Sequence, residues 1–402
     1  MKILFLHIGD MHIVDRQGIN FFQIKKLVDT FHGFGSFDKI LLIIAGDISQ
    51  IGQMEQYGHA KKLIGFLIAQ IKRACNYSSK LDVICVPGNH DIDHGGKSRT
   101  SAELQTIRNT RAYDKCLPGE LEKQEAFFNF SKFNNCFEEK SGFCRRVLDY
   151  QGFLIEVNMI NSGVFSVLEE DKGLQYIPRG CINEITTPTG ADFVITVMHH
   201  APDWYTDEQK NYLEEAIYTK SSIVFLGHEH RLGEKTMVYG KNTPVLIQAG
   251  GCLCENANWL NSAFHIGVYD TETHVYDHLE YKWNNQEQQY EPQERMNNIL
   301  PSKPSIEKCL RITDDFKTWL LSDDKHSICD NFLSYYVFPR IQSEERNGDN
   351  YKEYSTIDSY VEELLDKKKV LIQGSYNSGK TALSKALFYT SQIQILLFFF
   401  VI

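Results

Sequence analysis

The chain has 402 residues, 42% hydrophobic and 23% charged, the composition of a folded globular protein, and this excludes a disordered, collagen-like or fibrous polypeptide. Forty-two lysines and arginines against 52 aspartates and glutamates leave a net charge of −10, so any contact with nucleic acid or an anionic membrane must be local rather than drawn by long-range attraction. Ten cysteines are scattered without a CxxC pair, and the N-terminal apolar run reaches Asp10 too soon for an export signal; free thiols in a reducing, cytoplasmic setting are expected.

The first half alternates strand-like and helix-like segments. Lys2–Ile8 reads as a strand, Asn20–Phe34 carries apolar residues at helical spacing, and Lys39–Ala45 reads as a fully buried strand. A long helical pattern covers Met54–Asn76, a buried strand follows at Leu81–Val86, and helices are expected around Glu120–Phe137. Near-continuous apolar strands between helices belong to a sheet covered on both faces. From Gly142 two strand runs flank Gln151–Gly152 as a hairpin. Further strands are expected at Asp192–His199, Ser222–Gly227, Thr243–Ala249, Ala263–Asp270 and near His274–Trp283, with a helix at Asp207–Ser221. Two packed sheets with helices outside account for this mixture.

Around Asn284 the composition turns to Asn, Gln, Glu and Pro. The expected organisation is therefore a domain over residues 1–285, a helical and polar linker over 286–355 and a further partial domain over 356–402. Within the linker, helices are expected from about Ser305 to Tyr336, then a polar stretch from Gln342 to Thr356. No segment approaches the roughly 18–20 apolar residues that cross a bilayer, including the final run from Ile395 to Ile402.

The chemistry-bearing residues follow the ends of the apolar strands. Asp10 and His12 (GDMH) follow the first, Asp47 (AGDIS) the second, and Asn89, His90 and Asp91 (GNHD) the third. His199 and His200 (VMHHAP) close a later strand, and His228 and His230 (GHEH) the next. Open α/β sheets build their sites at the carboxyl ends of strands. A set of Asp, Asn and His suits Mn²⁺, Fe or Zn²⁺ better than a thiolate-preferring metal. Any one of these groups would carry little; five in order, each ending an apolar strand, are a strong signal. His7, His59, His94 and His265 read instead as structural.

This ordered set resembles the calcineurin-like metallophosphoesterase family, whose motifs DxH, GD, GNH plus an acid, a later His and GHxH all occur over roughly residues 3–285. The resemblance implies a four-layer α-β-β-α sandwich of mixed α/β class. It also implies that Asp10, His12, Asp47 and His230 hold one metal ion, with Asp47 bridging to a second held by Asn89, His199 and His228. Two divalent ions would polarise the phosphoryl oxygens and lower the pKa of a bridging water, whose hydroxide attacks phosphorus in line. His90 would contact phosphate and protonate the leaving alkoxide, with Asp91 orienting its ring. Ala201 stands where the family often has proline, which leaves His200 open as the ligand in place of His199. The GD motif is followed by Ile-Ser rather than the frequent downstream acid or Asn, a departure that leaves Asp47 itself unaffected.

At the far end, Gly374 to Thr381 (GSYNSGKT) matches GxxxxGK[ST], between a strand-like Lys369–Gln373 and a helical Ala382–Tyr389. In such a loop Gly374 and Gly379 let backbone N–H groups cradle phosphates, Lys380 reaches β and γ oxygens, and Thr381 holds Mg²⁺ of ATP or GTP. Twenty-one residues follow Thr381, without the strand-borne acid that such domains need. The expectation is the beginning of a P-loop NTPase domain, cut short.

The expected function is a metal-dependent phosphoesterase acting on a phosphodiester, with a nucleotide-like substrate favoured, once coupled to a P-loop module. A DNA or RNA nuclease of the same superfamily and a non-catalytic nucleotide-sensing module are the alternatives, and an inert remnant is a third. The acidic balance weighs against a long nucleic-acid footprint, although residues 97–145, expected as a cap, and the adjoining Arg146 offer Lys97, Arg99, Arg108, Arg111, Arg145 and Arg146 as a local basic rim.

Overall fold

The computed structural model describes residues 1–300 except 15–20, 35, 78–80, 95–100, 111, 135, 138–139, 169–171, 174, 188, 231–232, 237–243 and 253–261, and beyond them 341–344 and 351–354. The chain forms two compact units, Met1–Pro304 and Ser305–Ile402. In chain order the first half carries β1 (Lys2–Ile8), α1 (Phe21–Asp29) with a 3₁₀ turn at Thr30–Phe34, β2 (Lys39–Ala45), α2 (Met54–Ala74) and β3 (Asp82–Val86). Three helices follow, α3 (Ser101–Thr110), α4 (Tyr113–Glu122) and α5 (Glu125–Asn134), then the hairpin β4 (Phe143–Tyr150) and β5 (Phe153–Ile160). Next come α6 (Arg179–Thr186), β6 (Phe193–Met198), a 3₁₀ turn at Pro202–Trp204, α7 (Asp207–Lys220), β7 (Ile223–Leu226), β8 (Gly233–Thr236) and β9 (Val245–Gln248). The unit closes with β10 (Ala263–Asp270), β11 (Val275–Asn284) and β12 (Gln289–Ile299). In the second unit a hairpin of β13 (Ile341–Glu344) and β14 (Tyr351–Tyr354) is described.

Two six-stranded sheets form the middle of the first unit, in the orders β12-β11-β10-β1-β2-β3 and β4-β5-β6-β7-β9-β8. In one, β1, β2 and β3 run parallel; in the other, β5, β6, β7 and β9 do. Every residue of β1 and β2 after the first is buried, as expected of central strands covered on both faces. One outer cover is α2, which buries Tyr57, Ala60, Leu63, Ile64, Leu67 and Ile71 at helical spacing, the stripe of an amphipathic helix. α6 and α7 cover the second sheet, where Ile182, Ile185, Leu213, Ala216 and Ile217 share a core cluster with Met198 and Val224. The architecture is a mixed α/β sandwich of four layers.

The polar stretch from Asn284 differs from its sequence reading. Rather than leaving the domain it turns and returns as β12, antiparallel to β11 from Gln289↔Asn284 to Ile299↔Val275. Its composition permits this because it is an edge strand: Pro292, which has no N–H to give, is tolerated there. α6 and β8 were not anticipated either. The segment expected as a cap contributes to the core: Phe127 and Phe130 lie 6.4 and 5.3 Å from the Tyr57 ring of α2.

Of the expected basic rim, Arg146 pairs with Asp82 at 2.8 Å, at the start of β3 and so away from the strand ends that carry the site. Arg145 pairs with Glu156 at 3.4 Å; Lys97, Arg99 and Arg111 lie outside the described residues. So do the helices expected over 305–336 and the whole Gly374, Gly379, Lys380 and Thr381 motif. The seven cysteines within the described residues carry free thiols. Among the described residues no helix is long and apolar enough to cross a membrane.

Candidate metal centre

The carboxyl ends of β1, β2 and β3 in one sheet meet those of β6 and β7 in the other. Asp10 and His12 leave β1, Asp47 leaves β2, Asn89 to Asp91 leave β3, His199 and His200 leave β6, and His228 and His230 leave β7. Backbone bonds stitch the first two turns together: the Asp10 N–H donates to the Gly46 carbonyl at 3.1 Å and the His12 N–H to that of Asp47 at 2.9 Å. Five of the candidate ligands, Asp10, His12, Asp47, His228 and His230, have φ between 46° and 76°. Non-glycine residues rarely adopt this left-handed conformation, and strain of this kind clusters at functional sites. Gly88 and Gly227 permit the close approach, because a Cβ there would collide with the Asp47 carboxylate or with the Ala45 carbonyl, respectively.

The side chains converge in two adjoining groups. In the first, His12 Nε2 lies 3.1 Å from His230 Nε2 and 3.8 Å from Asp47 Oδ2, and His230 Nε2 lies 3.5 Å from Asp10 Oδ1. In the second, His199 Nε2 lies 3.2 Å from the same Asp47 Oδ2, 3.1 Å from Asn89 Oδ1 and 3.3 Å from His228 Nδ1. Asn89 Oδ1 is also 3.2 Å from His228 Nδ1. Asp47 thus faces both groups. Asp10, His12, Asp47 and His230 lie close enough to share one ion, as do His199, His200 and His228.

The chemistry of the donors fits divalent cations. The His199 Nδ1–H donates to the Ala45 carbonyl at 2.7 Å, which leaves Nε2 facing a carboxylate oxygen, an amide oxygen and an imidazole nitrogen. Oxygen and nitrogen donors converging in this way suit a divalent cation. Burial pushes His12 down to about 3 and also lowers His228 and His230, with neighbouring histidines adding to the effect; neutral imidazole is the form that ligates. Without a cation the charge is balanced locally. Burial opposes a charged His199, but the Asp47 and Asp10 carboxylates hold it up at about 10. Burial likewise favours neutral carboxyls: it lifts Asp10 to about 8, while Asp47, touching His199, stays well below its ordinary value despite its burial.

His199 and His200 both lie near enough to His228 to share an ion, and they differ in what else they meet. The ring of His199 is oriented by a backbone carbonyl, a common second partner of a metal-bound imidazole. His200 Nδ1 lies 3.1 Å from Ser162 Oγ, with its ring 4.4 Å from that of His228.

The expected pairing of His90 with Asp91 is not what the fold builds. The His90 Nδ1–H donates to the Gln50 carbonyl at 2.8 Å, and its ring meets that of His12 edge-on at 4.4 Å. The Asp91 carboxylate is fully buried and turned the other way. It accepts from Tyr57 OH at 2.6 Å, the Gly88 N–H at 2.9 Å, the Ser49 N–H at 3.0 Å and Ser49 Oγ at 3.1 Å. Asp91 therefore braces the β2 and β3 turns, and Gln50 orients His90. Apart from Gly88, these partners of Asp91 lie 34 and 42 positions earlier in the chain, which sequence spacing does not reveal.

The profile of the calcineurin-like phosphoesterases matches residues 3–232. No curated protein matches the chain. Among solved structures it is similar to GAP50, the anchor in the inner membrane complex of Plasmodium, at 10% identity and a TM-score of 0.41, covering 75% of this chain and 89% of that one. It is also similar to Chaetomium thermophilum Vps29, at 12% identity, a TM-score of 0.32, and 74% and 98% coverage. A Mycoplasma pneumoniae phosphatase gives 12% identity, a TM-score of 0.34, and 76% and 96% coverage. The profile spans more than half of the 402 residues, over the same turns that converge here, and the chain belongs to the calcineurin-like phosphoesterase family.

Proposed function

We propose that the protein is a hydrolase that uses two divalent metal ions to cleave a phosphodiester, with a nucleotide-like substrate favoured. The observation that carries this reading is the position of Asp47 Oδ2, 3.8 Å from His12 Nε2 and 3.2 Å from His199 Nε2, so that one carboxylate serves both donor groups. Asp10, His12, Asp47 and His230 would hold one ion, and Asp47, Asn89, His199 and His228 the other. Two such ions supply Lewis acidity at the phosphoryl oxygens and a lowered pKa for a bound water; Mn²⁺ is favoured for this oxygen and nitrogen set, with Fe or Zn²⁺ compatible.

The protein's own part is positioning and proton delivery. His90, with Nδ1 anchored on Gln50, keeps Nε2 for the substrate, where in its protonated form it donates to the leaving oxygen. Asp91, through Ser49 and Gly88, keeps the turns bearing Asp47 and Asn89 in register. The C-terminal motif with Gly374, Gly379, Lys380 and Thr381 we read as a phosphate-binding loop for ATP or GTP with Mg²⁺, supported by its motif and sequence context alone. A cytoplasmic setting goes with this reading on the strength of the scattered cysteines.

The test is a Mn²⁺-dependent assay on bis-p-nitrophenyl phosphate, its monoester, cyclic nucleotides and DNA. Diester cleavage is expected, with Asp47→Asn reducing it at least about 100-fold and lowering the number of ions bound. His90→Ala is expected to lose turnover yet bind Mn²⁺ normally. Preferred cleavage of DNA would point to the nuclease; no turnover of any substrate, or an Asp47→Asn enzyme as active as the parent, would overturn the proposal.

A further inference from the structure

Beside the second donor group stands a cluster that the metal centre itself does not include. Glu229 sits between His228 and His230 in the GHEH turn, and its Oε1 accepts from the Trp204 Nε1–H at 2.9 Å. The Lys172 ammonium lies 2.9 Å from the same oxygen and 3.2 Å from Asp203 Oδ2, and stands 5.1 Å from the centre of the Trp204 ring. The indole in turn meets the His228 imidazole at 4.1 Å, nearly perpendicular at 88°. The three residues come from three segments: the loop after β5, the 3₁₀ turn after β6, and the turn after β7.

The loop that carries Lys172 is itself tied to the site. The Asn89 Nδ2 donates to the Leu168 carbonyl at 3.2 Å, and the Gln175 N–H donates to the Trp204 carbonyl at 2.9 Å. One carboxylate at the middle of a two-ligand turn is thus pinned from two sides, by a neutral donor and by a charged one. Half-exposed ion pairs of this sort add little to global stability. Their consequence is local, since a turn holding two ligands in left-handed backbone conformations at φ 76° and 51° has little intrinsic preference for that shape.

We propose that Trp204, Lys172 and Glu229 form a clamp that holds the GHEH turn, and through it His228 and His230, at ligating distance. All three are positioning residues, and their role in turnover rests on the phosphoesterase reading above. Trp204 acts in two ways: its N–H fixes Glu229, and its ring edge limits the rotation of the His228 imidazole. Lys172 closes the clamp over the indole face.

The experiment uses the full chain, stripped of metal with chelator, as the parent and as Glu229→Ala, Trp204→Phe and Lys172→Met. Hydrogen exchange of the peptide covering residues 223–230 is read without metal, and Mn²⁺ affinity by electron paramagnetic resonance. Loss of an outer partner of a metal ligand weakens binding about 10- to 100-fold. Glu229→Ala is expected within that range with faster exchange confined to the turn, and Lys172→Met, at a solvent-exposed position, is expected to move both readouts in the same direction by less. Lys172→Arg should restore the parent values.

Parent-like exchange and affinity in Glu229→Ala and Lys172→Met would overturn the clamp, as would faster exchange spread over the whole domain. Trp204→Phe separates the two contributions of the indole, because it keeps the ring edge on His228 but loses the N–H. If the parent binds Mn²⁺ and hydrolyses no phosphoester, the phosphoesterase reading fails, and exchange and affinity still decide the clamp.

Discussion

His7 offers a test of how firmly the interior between the sheets excludes charge. It lies on β1 with no exposed surface, its ring 4.9 Å from that of Phe225 in the opposite sheet. Burial pushes it down to about 3 from an ordinary 6.5, against a smaller upward pull from the Leu226 backbone. The folded state therefore keeps His7 neutral, while the unfolded chain takes up a proton as the pH falls below 6.5. A depressed folded value means that stability is complete above 6.5 and is lost progressively as the pH falls toward 3. At pH 5 the unfolded residue is almost fully charged, and at 1.36 kcal/mol per pH unit the loss attributable to this group is about 2 kcal/mol relative to pH 7. Replacing it with a similar-sized apolar residue, His7→Leu, removes that term. Urea unfolding at pH 7 and pH 5, with chelator present to silence the metal centre, should show the parent losing about 2 kcal/mol more than the variant between the two conditions. Equal losses in the two proteins would refute the argument, and a larger loss in His7→Leu would reverse it.

His230→Gly should reduce the rise in melting temperature on adding Mn²⁺ and yet raise stability in chelator by about 1 kcal/mol, because glycine adopts φ 51° without the penalty a side chain brings there; a metal-free melting temperature below the parent's would count against backbone strain at the site. Tyr57→Phe removes a buried donor from the Asp91 carboxylate and should cost about 1.5–3 kcal/mol in urea unfolding, with kcat at saturating Mn²⁺ near the parent's. A loss of turnover out of proportion to the loss of stability would instead make Asp91 part of the chemistry.

Much of the candidate site was legible because each candidate ligand follows an unmistakable apolar strand. KILFLHI and KILLIIA read as buried strands, so the polar residues that follow them lie at the carboxyl ends of the strands, and their residue types specify the chemistry. β12 escaped for the opposite reason. In QYEPQERMNNI only one residue is buried, and the strand exists because β11 offers it a ladder of backbone groups, which no local pattern announces. The partners of Asp91 and the Trp204–Glu229–Lys172 cluster escaped for a third reason: they join residues far apart in the chain by single side-chain contacts. Sequence proximity suggested that Asp91 serves His90, but adjacent residues beyond a strand end point in different directions, and the fold gives His90 to Gln50 and Asp91 to Tyr57 and Ser49.

The distribution of the candidate ligands between the sheets bears on how a metal centre and the sandwich would depend on each other. Asp10, His12, Asp47 and Asn89 belong to one sheet, and His199, His228 and His230 to the other. Among the described residues, contacts at the site join the two sets: the His199 Nδ1–H on the Ala45 carbonyl at 2.7 Å, the His228 N–H on Asp10 Oδ1 at 3.0 Å, and His199 Nε2 against Asn89 Oδ1 and Asp47 Oδ2. Apolar packing holds the two sheets together along the strands, but it ends where the strands end. There, left-handed backbone and buried imidazoles face buried carboxylates, an arrangement that a bound cation would stabilise as a whole. The ions would therefore act on structure as a clip across the open end of the sandwich as well as on phosphate, and the clip would draw its strength from both sheets at once. Such coupling explains why the left-handed conformations gather at Asp10, His12 and Asp47 on one side and at His228 and His230 on the other: each turn is bent toward a common point that neither sheet could build alone.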